Sequence, residues 1–215
     1  MRVLVACEFS GRVREAFRSR GHDAWSCDLE PAEDKGVKHY QGELRHFLSS
    51  PAAWPGFDLM IAHPPCTRLT NAGVRWLHEP PKGRTVKEMW DELETACEFY
   101  LWLRNLPIPL KALENPVMHP HASTRLGSVQ RHVVQPHWFG DKAFKATGFE
   151  LHGLPPLKRT HWLEIPKAGT EEHKQWSKVH RASPGPNRWK IRSRTYEGIA
   201  QAMAQQWGNA MQVAA

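Results

Sequence analysis

Two residues of this chain stand where chemistry needs them. Cys66 follows Pro64-Pro65 at the end of the apolar run Phe57–Ala62 (FDLMIA), and Glu114, with Asn115 and Pro116 behind it, ends the run Lys111–Leu113. A thiol becomes a nucleophile as its thiolate, and a carboxyl at a nearby strand end can hold or protonate the group under attack. A third strand end carries Glu8-Phe9-Ser10-Gly11, a tight turn between the apolar stretch Val3–Cys7 and a helical pattern. Strand, glycine turn and helix in that order make the phosphate and cofactor corner of doubly wound sheets. A nucleophile, an acid and a cofactor turn therefore point toward one crevice. Cys7, Cys27 and Cys97 lie within predicted strands or a helix and read as buried small hydrophobes. With no CxxC pair, and with His119-Pro120-His121 lacking i, i+4 spacing, no metal site is expected.

The elements that position these residues follow from periodicity. After Val3–Cys7 and the turn, Val13, Ala16 and Phe17 mark a helix ended by Gly21, and His22–Cys27 forms a second strand ending at Asp28. Phe57–Ala62 is a third strand. Thr85-Val86-Lys87-Glu88 has the form of a capping box, and Met89, Leu93, Ala96, Tyr100 and Leu103 recur at helical spacing, so a long helix runs to about Leu106. Lys111–Leu113 is a fourth strand and Phe149–His152 a fifth. Beyond residue 153 the chain is loop-like and rich in proline, until a closing helix from Tyr196 to Trp207. The expected fold is α/β, a doubly wound, mostly parallel sheet. The 215 residues make a single domain: a core over 1–153, a Pro-rich basic region over 154–194 and a closing helix within 195–215.

The segment Asp58–Gly73 (DLMIAHPPCTRLTNAG) resembles the Pro-Cys motif of the cytosine-C5 DNA methyltransferases without a gap, with Pro65-Cys66 as the Pro-Cys pair and Gly73 on a family glycine. Glu114-Asn115-Pro116 is similar to the family's Glu-Asn-Val motif, again after a strand. The resemblance implies a Rossmann-like S-adenosylmethionine-dependent fold in which Cys66 adds to C6 of cytosine and Glu114, beside Asn115, holds N3. Glu8-Phe9-Ser10-Gly11 looks like the family's F-x-G cofactor turn, although Arg12-Val13 replaces two further glycines. Asp28 stands where the family places an acid on the ribose, and Gly42-Glu43-Leu44 resembles the segment whose carboxylate receives the adenine amine. Gln206-Trp207-Gly208-Asn209 resembles the terminal Q-x-G-N. The implied cofactor contacts are thus Glu8, Phe9, Ser10, Gly11, Asp28, Glu43, Pro65 and Asn209. The family's glutamine after the Pro-Cys pair is Thr67 here, and its Q-x-R-x-R motif falls on Ala143, Lys145 and Thr147, so Lys145 alone keeps a cation for the base. Room for the family's target-recognition domain is missing.

Twenty-nine Lys and Arg against 22 Asp and Glu give a net charge of +7, compatible with DNA as partner. Arg68, Arg75, Lys82 and Arg84 crowd the stretch after Cys66. Pro186–Arg194, read as extended, puts Arg188, Lys190, Arg192 and Arg194 on one face for phosphates, with Trp189 and Ile191 on the other. No apolar run approaches the roughly 18–20 residues that span a bilayer, and the N-terminus reads as a strand, not a signal peptide. A cytoplasmic setting is expected, by resemblance that of a bacterial or phage-infected cell. Three alternatives stand beside cytosine-C5 methylation of DNA. One is the same chemistry on a free or already modified pyrimidine nucleotide. Another is a non-catalytic DNA-binding module. The third is an amino-methylating enzyme, since DLMIAHPPC is superficially like D-P-P-Y, though His63 and Cys66 replace both functional residues of that signature.

Overall fold

The computed structural model describes residues 1–34, 36–115, 117–183, 185–186 and 188–209. Pro116 of the Glu-Asn-Pro segment, Asn187 of the basic stretch and the end of the chain lie outside the described residues. In chain order the elements are β1 (Arg2–Ala6), α1 (Arg12–Arg18), β2 (Asp23–Asp28), β3 (His39–Gln41), α2 (Leu44–Leu48), β4 (Leu59–Ala62), α3 (Val86–Asn105), β5 (Leu110–Glu114), α4 (Pro120–Leu126), β6 (His132–Val134), β7 (Thr147–His152), α5 (Glu171–Trp176), α6 (Arg188–Ser193) and α7 (Glu197–Trp207).

The strands form one seven-stranded sheet in the order β3-β2-β1-β4-β5-β7-β6. β1 to β5 are parallel, while β7 runs antiparallel to both β5 and β6. This is a doubly wound, mostly parallel α/β sheet. The central strands are apolar on both faces because helices cover both. Leu4, Ala6, Met60, Ala62 and Leu113 pack toward Leu44 and Phe47 of α2 and Met89, Leu93, Tyr100 and Leu103 of α3. The alternate residues Val3, Val5, Leu59, Ile61 and Ala112 face Val13 and Phe17 of α1 and Ile199, Met203 and Trp207 of α7. Strand order reverses between β1 and β4, so the crevice beyond their carboxyl ends is the switch point at which such sheets bind ligands.

The long helix α3 opens on the expected capping box. The Glu88 N–H donates to Thr85 Oγ1 at 3.2 Å and the Thr85 N–H to Glu88 Oε2 at 2.6 Å. Several elements differ from the sequence reading, among them the short helices α4 and α5, which it did not assign. β3 and β6 were absent from it because each is a three-residue strand, partly exposed and without an apolar period. The stretch read as extended from Pro186 to Arg194 contains the helix α6. Among the described residues no helix is long and apolar enough to cross a membrane.

Candidate active site

Because Ala62 pairs with Leu113 in the parallel register, the segments leaving β4 and β5 emerge side by side, one carrying Cys66 and the other beginning at Glu114. The His63 N–H continues the ladder to the Ala6 carbonyl at 2.9 Å, and the chain then turns through Pro64 and Pro65. Cys66 is exposed, whereas Cys27 and Cys97 are buried and Cys7 is half-buried. The Cys66 carbonyl accepts from the Leu69 and Thr70 N–H groups at 2.9 and 3.1 Å, closing a turn. His119, wholly buried, clamps that turn to the chain following Glu114. Its Nδ1 accepts from the Ala122 N–H at 3.2 Å, which leaves the proton on Nε2 to donate to the Arg68 carbonyl at 2.7 Å. Its own N–H donates to the Leu69 carbonyl at 3.1 Å, and the Asn71 N–H donates to Val117 at 3.3 Å. Gly73 is required here by close approach, since a Cβ would lie 2.0 Å from the Thr67 carbonyl oxygen.

Glu114 faces His63, with Nδ1 and Oε2 at 2.8 Å. Asn115 is buried, and its N–H donates to the Gly148 carbonyl at 2.7 Å. Lys145 joins them: it lines a small cavity with His63 and Glu114, and its Nζ donates to the Arg194 carbonyl at 3.3 Å. Burial alone would push the Glu114 carboxyl up, but the His63 hydrogen bond and charge and the Lys145 cation outweigh it, leaving Glu114 below its ordinary value and ionised at neutral pH. Cys66 moves the other way. The crowding of its thiol and the charge of Glu114 raise it, against the smaller pull of its own N–H, Lys145 and Arg192. At rest the site holds a carboxylate and a protonated thiol.

The cofactor side is more closed than the sequence implies. Glu8 is buried, and its carboxylate accepts from the N–H groups of Val13 at 2.8 Å and Arg14 at 3.3 Å and from Ser10 Oγ at 3.2 Å. Glu8 thus caps α1, a use that satisfies otherwise orphaned N–H groups. Gly11 has φ +73°, and a Cβ there would meet Asp34 Oδ2 at 2.2 Å, so glycine lets the loop after β2 close over the turn. Asp34 is ion-paired with Arg14, whose buried guanidinium also donates to Ser26 Oγ at 2.6 Å. Phe9 is buried beneath Trp189 of α6, edge to face with ring centroids 5.6 Å apart. Asp28 is half-buried and takes the Glu30 N–H at 2.9 Å, while Glu43 and Pro65 are exposed. Burial and the charges of Asp28 and Glu43 push Cys27 up to about 12 and raise Cys7 as well; Asp28 ends β2 opposite Gln41, and Glu43 follows two residues on at the start of α2. Asn209 is not brought here. α7 runs down the sheet, so a Cβ on Gly208 would lie 2.5 Å from His22 Nε2, at the amino end of β2. That is the opposite pole of the sheet, roughly 17–20 Å from Asp28 at about 3.3 Å per strand residue.

The basic residues divide. In helical α6 Arg188 and Arg192, one turn apart, lie on one face and Lys190 on another, while Arg194 follows the end of the helix. Lys190 bonds Glu30 at 2.7 Å and Arg194 grips Glu33 through Nε at 2.8 Å and Nη2 at 2.5 Å. Arg68 and Arg84 both pair with Glu92 of α3, and the Arg75 guanidinium lies 4.0 Å from the Trp76 ring centroid. Among the described residues, Arg75, Arg188 and Arg192 stand outside ion pairs, and the charge of Arg192 reaches Cys66. No group of three or more His, Cys, Asp or Glu among the described residues is arranged to hold a metal ion. Sequence reasoning missed His63 and His119, whose only signal is a histidine adjoining each of the two chemical segments.

No protein-family model matches this chain, and no curated protein matches it. A solved structure described as a candidate DNA modification methyltransferase encoded within a prophage of E. coli superposes with a TM-score of 0.47 at 13% identity, over 70% of this chain and 46% of that one. The chain thus spans just under half the length of that protein.

Proposed function

We propose that this chain transfers a methyl group from S-adenosylmethionine to C5 of cytosine in DNA through covalent addition of Cys66 to C6. The observation that carries the reading is the delivery of an exposed cysteine and a carboxylate to the carboxyl ends of adjacent parallel strands, with Lys145 beside them. Cytosine C5 is a poor nucleophile until a thiolate adds at C6. Cys66 attacks as thiolate, its thiol proton having gone to solvent; as the Sγ–C6 bond forms, the C5=C6 pair shifts toward N3, which must take a proton, and Glu114, once protonated, is the group to give it. Lys145 holds positive charge against the base, and later loss of the C5 proton to water expels Cys66. S-adenosylmethionine, when bound, supplies the electrophilic methyl carbon. The donor set fits its ribose and adenine: Asp28 and Glu43 lie together at the strand ends and, among the described residues, neither is in an ion pair. DNA, the proposed partner, has the cations Arg188 and Arg192 available for phosphate contact, and a target base would have to leave the duplex to reach Cys66.

Incubation with cofactor and DNA containing 5-fluorocytosine should trap a denaturation-resistant adduct that Cys66→Ala abolishes, because fluorine at C5 cannot leave as a proton does. Methylation that persists in Cys66→Ala rejects the mechanism. A parallel incubation with dCMP as competitor separates polymer from free nucleotide. One observation favours a second reading, a DNA-binding module without activity: Asp34 and Trp189 cover Gly11 and Phe9 of the cofactor turn. Titration calorimetry decides it, since that module gives no heat with S-adenosylmethionine.

A further inference from the structure

His63 has no part in the mechanism above, yet it makes the one side-chain hydrogen bond that reaches Glu114 among the described residues, at 2.8 Å. Its ring is 92% buried, and Nε2 has no protein partner. We propose that His63 is a positioning residue that shares one proton with Glu114 and loads the carboxyl for transfer to N3 of a pyrimidine, an inference that rests on the reading just given.

An ionised carboxylate facing a cytosine N3 sets one acceptor against another, and the surroundings of Glu114 favour its ionised form. A proton must therefore enter the carboxyl before or during attack. Four groups bear on His63: Glu114 from β5, Glu8 from the turn after β1, Lys145 from the chain before β7, and Tyr196 at the start of α7 across the shared cavity. The Glu8 carboxylate already accepts three hydrogen bonds. Lys145 is directed to the Arg194 carbonyl. Among the described residues His63 alone hydrogen-bonds the Glu114 side chain, and imidazole is the side chain that gives and takes a proton near neutral pH.

In the reactive form His63 carries protons on both ring nitrogens with Nδ1 directed at the Glu114 carboxylate, and Cys66 attacks as thiolate, its proton having left to solvent. The Nδ1 proton of His63 passes to Glu114, and the carboxyl so formed gives its proton to N3 as the Sγ–C6 bond forms, so that His63 ends neutral with its proton on Nε2 and Glu114 ends as carboxylate. When loss of the C5 proton to water expels Cys66, N3 returns its proton through Glu114 to His63, which regenerates the pair.

The test has two arms. In the free protein, an NMR titration of the His63 ring should show it losing its proton at a lower pH in Glu114→Gln than in the parent, with proton affinity weaker by about tenfold or more. In single-turnover trapping on 5-fluorocytosine DNA, His63→Gln keeps an N–H donor for Oε2 but has no proton to give. It should form adduct about a hundredfold more slowly at pH 8, and the ratio to the parent should shrink toward pH 5, where Glu114 is protonated by solvent. A His63 titration unmoved by Glu114→Gln overturns the proposal, as does a His63→Gln deficit equal at every pH, which is what a purely structural histidine gives. If the parent protein traps nothing while the two titrations differ, the methyl-transfer reading falls and the shared proton stands.

Discussion

Gly73→Ala is the substitution whose consequence the geometry sets most directly. A Cβ at residue 73 would lie 2.0 Å from the Thr67 carbonyl oxygen, where ordinary contact begins near 3.4 Å, so the two strands of the loop must part by more than 1 Å. Thr67 cannot yield freely. Its neighbour Cys66 accepts from Leu69 and Thr70, and Arg68 and Leu69 are held by His119. The displacement therefore either breaks these bonds or moves the Cys66 turn as a body. Overpacking of this kind costs about 1–3 kcal/mol, which at roughly 2–4 °C per kcal/mol for a chain of this size lowers the melting temperature by roughly 2–12 °C. Misplacement of a reacting group by about 1 Å costs on the order of a hundredfold in rate, so adduct formation on 5-fluorocytosine DNA should fall by that factor at 25 °C, where the protein remains folded. Alkylation of Cys66 by iodoacetamide, which needs no cytosine, should change far less. A Gly73→Ala protein that melts with the parent and traps DNA within twofold of its rate refutes the claim that this loop is pinned.

Three further outcomes follow from the same geometry. Since the Glu114 charge helps hold the Cys66 thiol above its ordinary value, Glu114→Gln should shift the alkylation profile of Cys66 to lower pH; an unmoved profile would separate the two groups. Arg192→Ala should weaken DNA binding about equally for all sequences and reduce the salt slope by about one, whereas Lys190→Ala, whose ammonium is already engaged by Glu30, should change the slope less. Burial opposes ionisation of Asp34, but Arg14 and the Gly36 N–H outweigh it and hold the carboxyl below its usual range. Its stabilising contribution is therefore complete above the unfolded value of about 3.9 and lost as pH falls through the lowered folded value. Asp34→Asn should lower the melting temperature at pH 7 and flatten the decline below pH 4; parallel melting curves would refute this.

The sheet was legible where burial writes a pattern. VLVA in β1, LMIA in β4 and the LKALE strand β5 are apolar because helices cover both faces, and the Thr85–Glu88 box announced α3. β3 and β6 left no such pattern because they are short and partly open to solvent. Arg188–Arg194 misled because alternating basic and apolar residues fit a strand on paper, while the chain instead packs Trp189 on Phe9 and pairs Lys190 and Arg194 with Glu30 and Glu33. Glu8 lies at the expected strand end and accepts from the first turn of α1, a use that composition does not distinguish from that of a carboxylate facing outward. Asn209 follows Gly208 beside His22, at the amino end of β2, and a short motif says nothing about which pole of the sheet a helix descends to. His63 had no periodic signature, since it sits between a buried strand and two prolines, and only the register of β4 on β5 brings it to Glu114.

That register also couples the acid to the nucleophile. The resting charges oppose the proposed reaction, because the carboxylate of Glu114 raises the thiol it must work with. The same opposition makes one event activate both groups. In the proposed reaction a proton arriving on Glu114 would supply the hydrogen that N3 needs and remove the negative charge that disfavours the Cys66 thiolate, leaving Lys145 and Arg192 to favour it. Thiolate and acid are then present together when a base that accepts at N3 lies against Glu114, and the exposed thiol stays protonated and comparatively unreactive otherwise. The two carboxyl-end residues are thus linked by charge as well as by position, so substitutions at Glu114, His63 and Lys145 should be non-additive in their effects on Cys66.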